Sequence, residues 1–115
     1  MPMKKRISAR GHNYVFLGGF VDGGVVSGTT NDGGNAFSFA MIFSDSGDRP
    51  TRIRVNAYGH LAAICDEMAS HGTFCFVAGE IMNRLGKYSK LTEVRAKEIE
   101  FFPEVGNHAG EDPSE

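Results

Sequence analysis

Thr51-Arg52-Ile53-Arg54-Val55-Asn56-Ala57-Tyr58-Gly59-His60-Leu61-Ala62-Ala63-Ile64-Cys65-Asp66-Glu67-Met68 is the stretch that decides the fold, because its period changes in the middle. From Thr51 to Tyr58, Ile53, Val55 and Ala57 alternate with Arg52, Arg54, Asn56 and Tyr58. That is the two-residue period of a strand with one oily face and one basic, polar face. From Leu61 onward, Leu61, Ile64, Cys65 and Met68 recur at i, i+3, i+4 and i+7, which predicts an amphipathic helix of about three turns capped by His71-Gly72. A strand runs directly into one short helix, and the basic strand face has to meet solvent or a ligand.

Upstream lie two more strands. Tyr14 to Val21 puts Val15, Leu17 and Val21 on one face and Tyr14, Phe16 and Phe20 on the other. Ala36 to Phe43 puts Phe37, Phe39, Met41 and Phe43 on one face. Between them Asp22-Gly23-Gly24 and Thr29 to Gly34 are turn-forming, with Asn31-Asp32-Gly33-Gly34 a strong reversal signal. Ser44 to Pro50 reads as a polar loop. Downstream, Thr73 to Asn83 and Leu91 to Phe101 read as strands joined by a hairpin tip at Gly86. Three strands, a helix and a two-stranded hairpin predict an all-β (mostly β) domain: a five-stranded OB-fold Greek-key barrel with one α-helix between strands 3 and 4. The barrel occupies residues 13–103, after a basic arm at 1–12 and before a short acidic tail at 104–115 that is expected to be disordered.

Composition agrees with one small domain. The chain has 115 residues, 41% of them hydrophobic and 23% charged, and fifteen glycines against four prolines favour short strands and tight turns. The formal net charge of −2 excludes a strongly basic protein, but the charge is segregated. Lys4, Lys5, Arg6 and Arg10 open the chain, while Glu104, Glu111, Asp112 and Glu115 close it. Cys65 and Cys75 stand in apolar contexts without CxxC spacing and read as buried, reduced thiols. Tyr14 to Val21 is too short to span a bilayer, and no continuous apolar segment follows Lys4-Lys5-Arg6, so a cytoplasmic protein is expected, without membrane association. His60, Cys65, His71 and Cys75 lack the spacing of a structural zinc site, and no P-loop, dinucleotide fingerprint or nucleophile elbow occurs. No enzyme, cofactor or metal is expected.

Several strings then point to one family. Arg10-Gly11-His12-Asn13-Tyr14-Val15 with Leu17 and Gly19, Gly33-Gly34 before Ala36 to Met41, and Val55-Asn56-Ala57-Tyr58-Gly59-His60-Leu61-Ala62 follow in order. Phe76-Val77-Ala78-Gly79-Glu80-Ile81 and Thr92-Glu93-Val94 through Glu98-Ile99 complete the set. Over Arg10 to Phe102 the chain resembles the single-stranded DNA-binding protein family of bacteria, organelles and phages. The resemblance implies binding of single-stranded DNA without sequence specificity, by base stacking and phosphate contacts, in DNA replication, recombination or repair. It also implies a homo-oligomer, dimer or tetramer, and allows replication or repair proteins as partners.

Carried onto this sequence, the binding residues are Tyr58 for stacking, Arg52 and Arg54 on its strand face, Arg84, Lys87, Tyr88 and Lys90 in the last hairpin, and Arg10 in the arm. Two features depart from the family. The chain has no tryptophan, Arg52 standing where many members carry one, and it ends in Pro-Ser-Glu instead of an acidic tip closed by an aromatic. The alternative reading is a primosome-type or other OB-fold assembly subunit with weak or no single-stranded DNA binding, in which the same surface is a subunit contact.

Overall fold

The structure, a computed structural model, describes residues 11–43, 50–85 and 90–103. Seven elements follow in the order β1 (Val15–Val21), β2 (Val26–Thr29), β3 (Asn35–Ile42), β4 (Arg52–Tyr58), α1 (His60–Met68), β5 (Phe74–Leu85) and β6 (Lys90–Phe102). The strands form one sheet in the order β1-β5-β6-β4-β3-β2, and β1 also pairs with β3, so the sheet closes on itself. Closure depends on β1 serving two partners. Val15 to Phe20 pair with β5, and at its far end Phe20 faces Ile42 and Val21 faces Met41 of β3. The remaining junction, β4 to β6, is parallel and two pairs long, Val55 with Val94 and Asn56 with Arg95.

The expected barrel, with its helix between the third and fourth of the five strands read from the sequence, is what the chain forms. One strand is additional. Val26–Thr29 pairs along β3 from Ser38 to Asn35, and all four of its residues are exposed. With neither face buried it carries no apolar alternation, which is why only the glycine-rich turns around it stood out. The reversal after it is held locally: Thr30 N–H donates to the Gly34 carbonyl at 2.8 Å, and the Asp32 carboxylate accepts from the Thr30 hydroxyl and the Gly34 N–H. Those bonds, the hydroxyl first, hold the Asp32 carboxyl below the ordinary carboxylate value.

The core lies between the inward faces of β1, β3, β4, β5 and β6. Val21, Phe37, Phe39, Met41, Val55, Val77 and Val94 are its main buried side chains, and α1 closes one end with Ala62 and Cys65. The helix presents the expected stripe to the barrel and adds Ala62 to it. Ala62 and Cys65 are the buried positions, Leu61 packs partly against the core, and Ile64 and Met68 are only half-buried. A small residue at the contact lets the helix backbone sit close to the barrel end. The cap differs, because the helix stops at Met68 with Ala69 extended, and Gly72 belongs to the turn beyond, where its N–H donates to the Val21 carbonyl at 2.8 Å.

Two local devices set the register of β5. Asn13, just before β1, uses its side-chain amide as a strand would use its backbone: Nδ2 donates to the Ile81 carbonyl and Oδ1 accepts from the Ile81 N–H, both at 2.8 Å. At Gly79 the β5–β6 ladder shifts by one residue, and a Cβ there would collide with the Arg95 carbonyl. The bulge therefore requires glycine, since the obstacle is backbone and cannot rotate away.

Gly79→Ala should cost about 1–3 kcal/mol in urea unfolding through that clash. The free thiols of Cys65 and Cys75 are buried, and burial pushes both up to about 12 from the ordinary 9.0, the charge on Cys75 adding to the effect at Cys65. Neither should react with a disulfide reagent at pH 8 while the protein is folded. Ionisation then occurs only in the unfolded chain, so stability from this pair stays constant below pH 9 and falls as pH rises from 9.0 towards about 12. Thermal melts across that range check the sign.

Candidate nucleic-acid interface

Alternation along β4 turns Val55 and Ala57 into the core and leaves Arg52, Arg54, Asn56 and Tyr58 in a row on the outside of the barrel. Their registered neighbours on β3 are Ile42, Ala40, Ser38 and Ala36. The Asn56 and Tyr58 end of this strip, with Ser38 and Ala36 beside it, forms the floor of a cleft. One bank is β2, with Val26, Gly28 and Thr29, and the other is the long β5–β6 hairpin, with Met82, Arg84 and Glu93. The cavity between them measures about 350 Å³, within the size range of small-ligand sites. A shallower cleft of about 560 Å³ lies beside it, lined by the Thr30 to Asn35 turn, Gly59 and Arg95.

Tyr58 belongs to both clefts and is 39% exposed. Its position follows from the backbone on either side. Ala57 anchors the strand in the core, and Gly59, at φ +66°, turns the chain from strand end to helix start within one residue. Few side chains tolerate that conformation. The guanidinium carbon of Arg95 sits 5.2 Å from the Tyr58 ring centroid, a cation–π distance. An aromatic face beside a guanidinium plane can stack a nucleobase and neutralise its phosphate at one place.

Of the residues singled out in the sequence, the structure brings Tyr58 and Arg84 to one cleft. Arg84 is 58% exposed and lies 3.5 Å from the Glu93 carboxylate. Arg52 and Arg54 stand further along the same strip, engaged with the loop before β2. Arg52 Nε donates to Asp22 at 2.6 Å, and Arg54 donates to the Gly24 carbonyl at 3.0 Å and to the Ser38 hydroxyl at 2.8 Å. Their charge reaches the strip with its nearest partners already supplied. Lys90 opens β6 opposite Leu85. Lys87, Tyr88 and Arg10 lie outside the described residues.

Three residues of the site were not singled out. Arg95 reaches Tyr58 through the parallel junction, a contact spanning 37 positions that no local pattern announces. Asn56 and Glu93 are buried on this outer strip, 6% and 4% exposed, because the hairpin folds over them, and Asn56 Nδ2 donates to Glu93 Oε1 at 2.8 Å. The one available signal was alternation in β6, where Glu93 and Arg95 interleave with the apolar Val94 and Ala96.

A second surface lies on the outside of β1, β5 and β6. Phe16 stacks on Phe76 at 5.3 Å, Phe20 and Phe76 flank Phe74 edge-on at 5.2 and 5.1 Å, and Phe102 meets Phe76 at 5.5 Å. Phe16 is 60% exposed. Glu98 and Glu100 border the cluster beside Phe16, Phe76 and Ala78.

No protein-family model matches the chain, and no curated protein matches it in sequence. Among solved structures, the SSB domain of a Synechococcus sp. protein is similar with a TM-score of 0.66 at 15% identity, covering 79% of this chain and 97% of that one. A likeness at that identity shows the fold: the chain is a closed OB-type barrel of the kind that SSB domain has.

Proposed function

We propose that the chain binds single-stranded DNA without marked sequence specificity, in replication, recombination or repair, and that the strand runs through the cleft between β2 and the β5–β6 hairpin. The observation that carries this is the placement of Tyr58, beside Arg95, as the wall shared by two clefts, with Arg84 on the opposite bank. Stacking on an aromatic ring contributes about 1–3 kcal/mol per base and reads no sequence. Cations along the banks add a salt-dependent phosphate term. The fold shared with an SSB domain supports the same reading.

Titration of a fluorescent oligo-dT at two salt concentrations tests it. Binding should weaken with salt, Tyr58→Ala should lower affinity by about 5- to 150-fold, and Arg84→Ala should reduce the salt slope by about 1. A folded protein that ignores oligo-dT and oligo-dC alike at low salt would overturn this reading in favour of the assembly subunit.

Assembly is supported by a separate observation, the phenylalanine cluster on β1, β5 and β6. A contiguous apolar face of this kind marks an interaction surface, and a sheet face meets a second copy of itself across a two-fold axis, ring cluster against ring cluster. In this proposal the homo-oligomer forms there and leaves the Tyr58 cleft open, so assembly and DNA binding do not compete. Phe16→Glu alters a side chain that is mostly exposed. It should leave the barrel folded, at a cost of about 0.5–1.5 kcal/mol for the lost stack on Phe76, while reducing the sedimenting mass to that of the monomer. An unchanged mass would assign assembly to another surface.

A further inference from the structure

We infer that the cleft beside Tyr58 favours, at one base position, a base with an exocyclic amino group over thymine, and that Glu93 is the residue that reads it. The inference rests on the single-stranded DNA reading above and adds to it a preference that stacking alone does not supply.

The cavity that Tyr58 walls is lined on its hairpin side by a carboxylate whose side chain is only 6% exposed. A buried charge is costly to keep, and a purely structural partner for Asn56 would be supplied as well by a neutral amide. The two contacts of the carboxylate, Asn56 Nδ2 at 2.8 Å and Arg84 Nη1 at 3.5 Å, both use Oε1. Among the described residues Oε2 takes no hydrogen bond. Phosphate is excluded as its ligand by like charge. What a carboxylate can receive inside a nucleic-acid cleft is the hydrogen-bond donor of a base edge.

Bases differ in this respect. A carboxylate offers acceptors only. Thymine presents a carbonyl at position 4 and a single ring N–H flanked by two carbonyls, so its oxygens face the carboxylate unfavourably. Cytosine, adenine and guanine each carry an amino group that can donate a charge-assisted hydrogen bond. Cytosine fits the pair of side chains in full, since its amino group faces Glu93 while its ring nitrogen and carbonyl can accept from the adjacent Arg84 guanidinium. A base stacked on Tyr58 lies in the same cavity as Glu93 and Arg84.

The test compares fluorescent oligonucleotides of equal length built from thymidine, deoxycytidine or 5-methyldeoxycytidine, at neutral pH and low salt. The 5-methyldeoxycytidine strand differs from the thymidine strand only in the position-4 group and the neighbouring ring proton, so it isolates the amino group from the methyl. The wild-type protein should bind it at least about fivefold tighter than the thymidine strand, the lower end of what one good base contact discriminates. Glu93→Gln keeps an acceptor for Asn56 and adds an amide donor that thymine can accept, so the ratio should fall towards one. Equal ratios in wild type and Glu93→Gln, with both strands bound, overturn this inference and leave the binding function standing. If no strand binds the wild type, both fall. Should Glu93→Gln fail to fold, a wild-type ratio of one or below overturns the inference by itself.

Discussion

The junction of β4 with β6 spans only two registered pairs, Val55 with Val94 and Asn56 with Arg95, and it is parallel in a barrel otherwise built from antiparallel ladders. A contact that short has little backbone hydrogen bonding to hold it. The side chains make up the difference. Val55 and Val94 are fully buried on the inner side, while on the outer side Asn56 donates to Glu93 and, at 3.4 Å, to the Val94 carbonyl. The same junction places Arg95 against Tyr58 and swings the end of the hairpin over the β4 strip. Barrel closure and cleft formation are thus one event, and weakening the Asn56–Glu93 pair would open both.

β5 carries two surfaces on one side of one strand. Its outward residues run Phe74, Phe76, Ala78, Glu80, Met82 and Arg84, apolar at the start and polar at the tip. Phe76 and Arg84 are eight residues apart, about 26 Å along an extended strand. That distance separates an aromatic sheet face from a cleft wall without a second domain. The bulge at Ala78/Gly79 lies between them, where its extra twist lets the tip leave the plane of the aromatic face and bend over β4.

Elements whose two faces differ in solvation were legible from the sequence. In β4 the alternation of Ile53, Val55 and Ala57 with Arg52, Arg54, Asn56 and Tyr58 records a core on one side, and the period change at Gly59 records the helix. β2 was silent because both its faces are exposed, and backbone pairing to β3 leaves no mark on side-chain choice. The helix stripe was legible but incomplete: Leu61, Ile64, Cys65 and Met68 are all buried or half-buried, and periodicity, which counts large apolar residues, passed over Ala62, whose small side chain makes the close contact. Tyr58 and Arg84 could be named from local context. Arg95, Asn56 and Glu93 could not, because their roles arise from a junction between strands far apart in the chain.

Electrostatics sharpens what the cleft can be. Along the β4 strip Arg52 faces Asp22, and Arg54 is spent on the Gly24 carbonyl and Ser38. Arg84 lies near Glu93, and Arg95 lies over a ring. The Arg52–Asp22 pair is exposed enough to be worth about 0–1 kcal/mol, so a phosphate can displace it, but the displacement returns only part of a free cation's attraction. The chain's formal net charge of −2 adds no long-range pull. Under the proposed single-stranded DNA reading, most of the affinity then comes from short-range terms, the ring of Tyr58 and the cleft around it, with salt-dependent phosphate contacts adding to it, and a cleft that took base faces would also be one in which a base edge could be read.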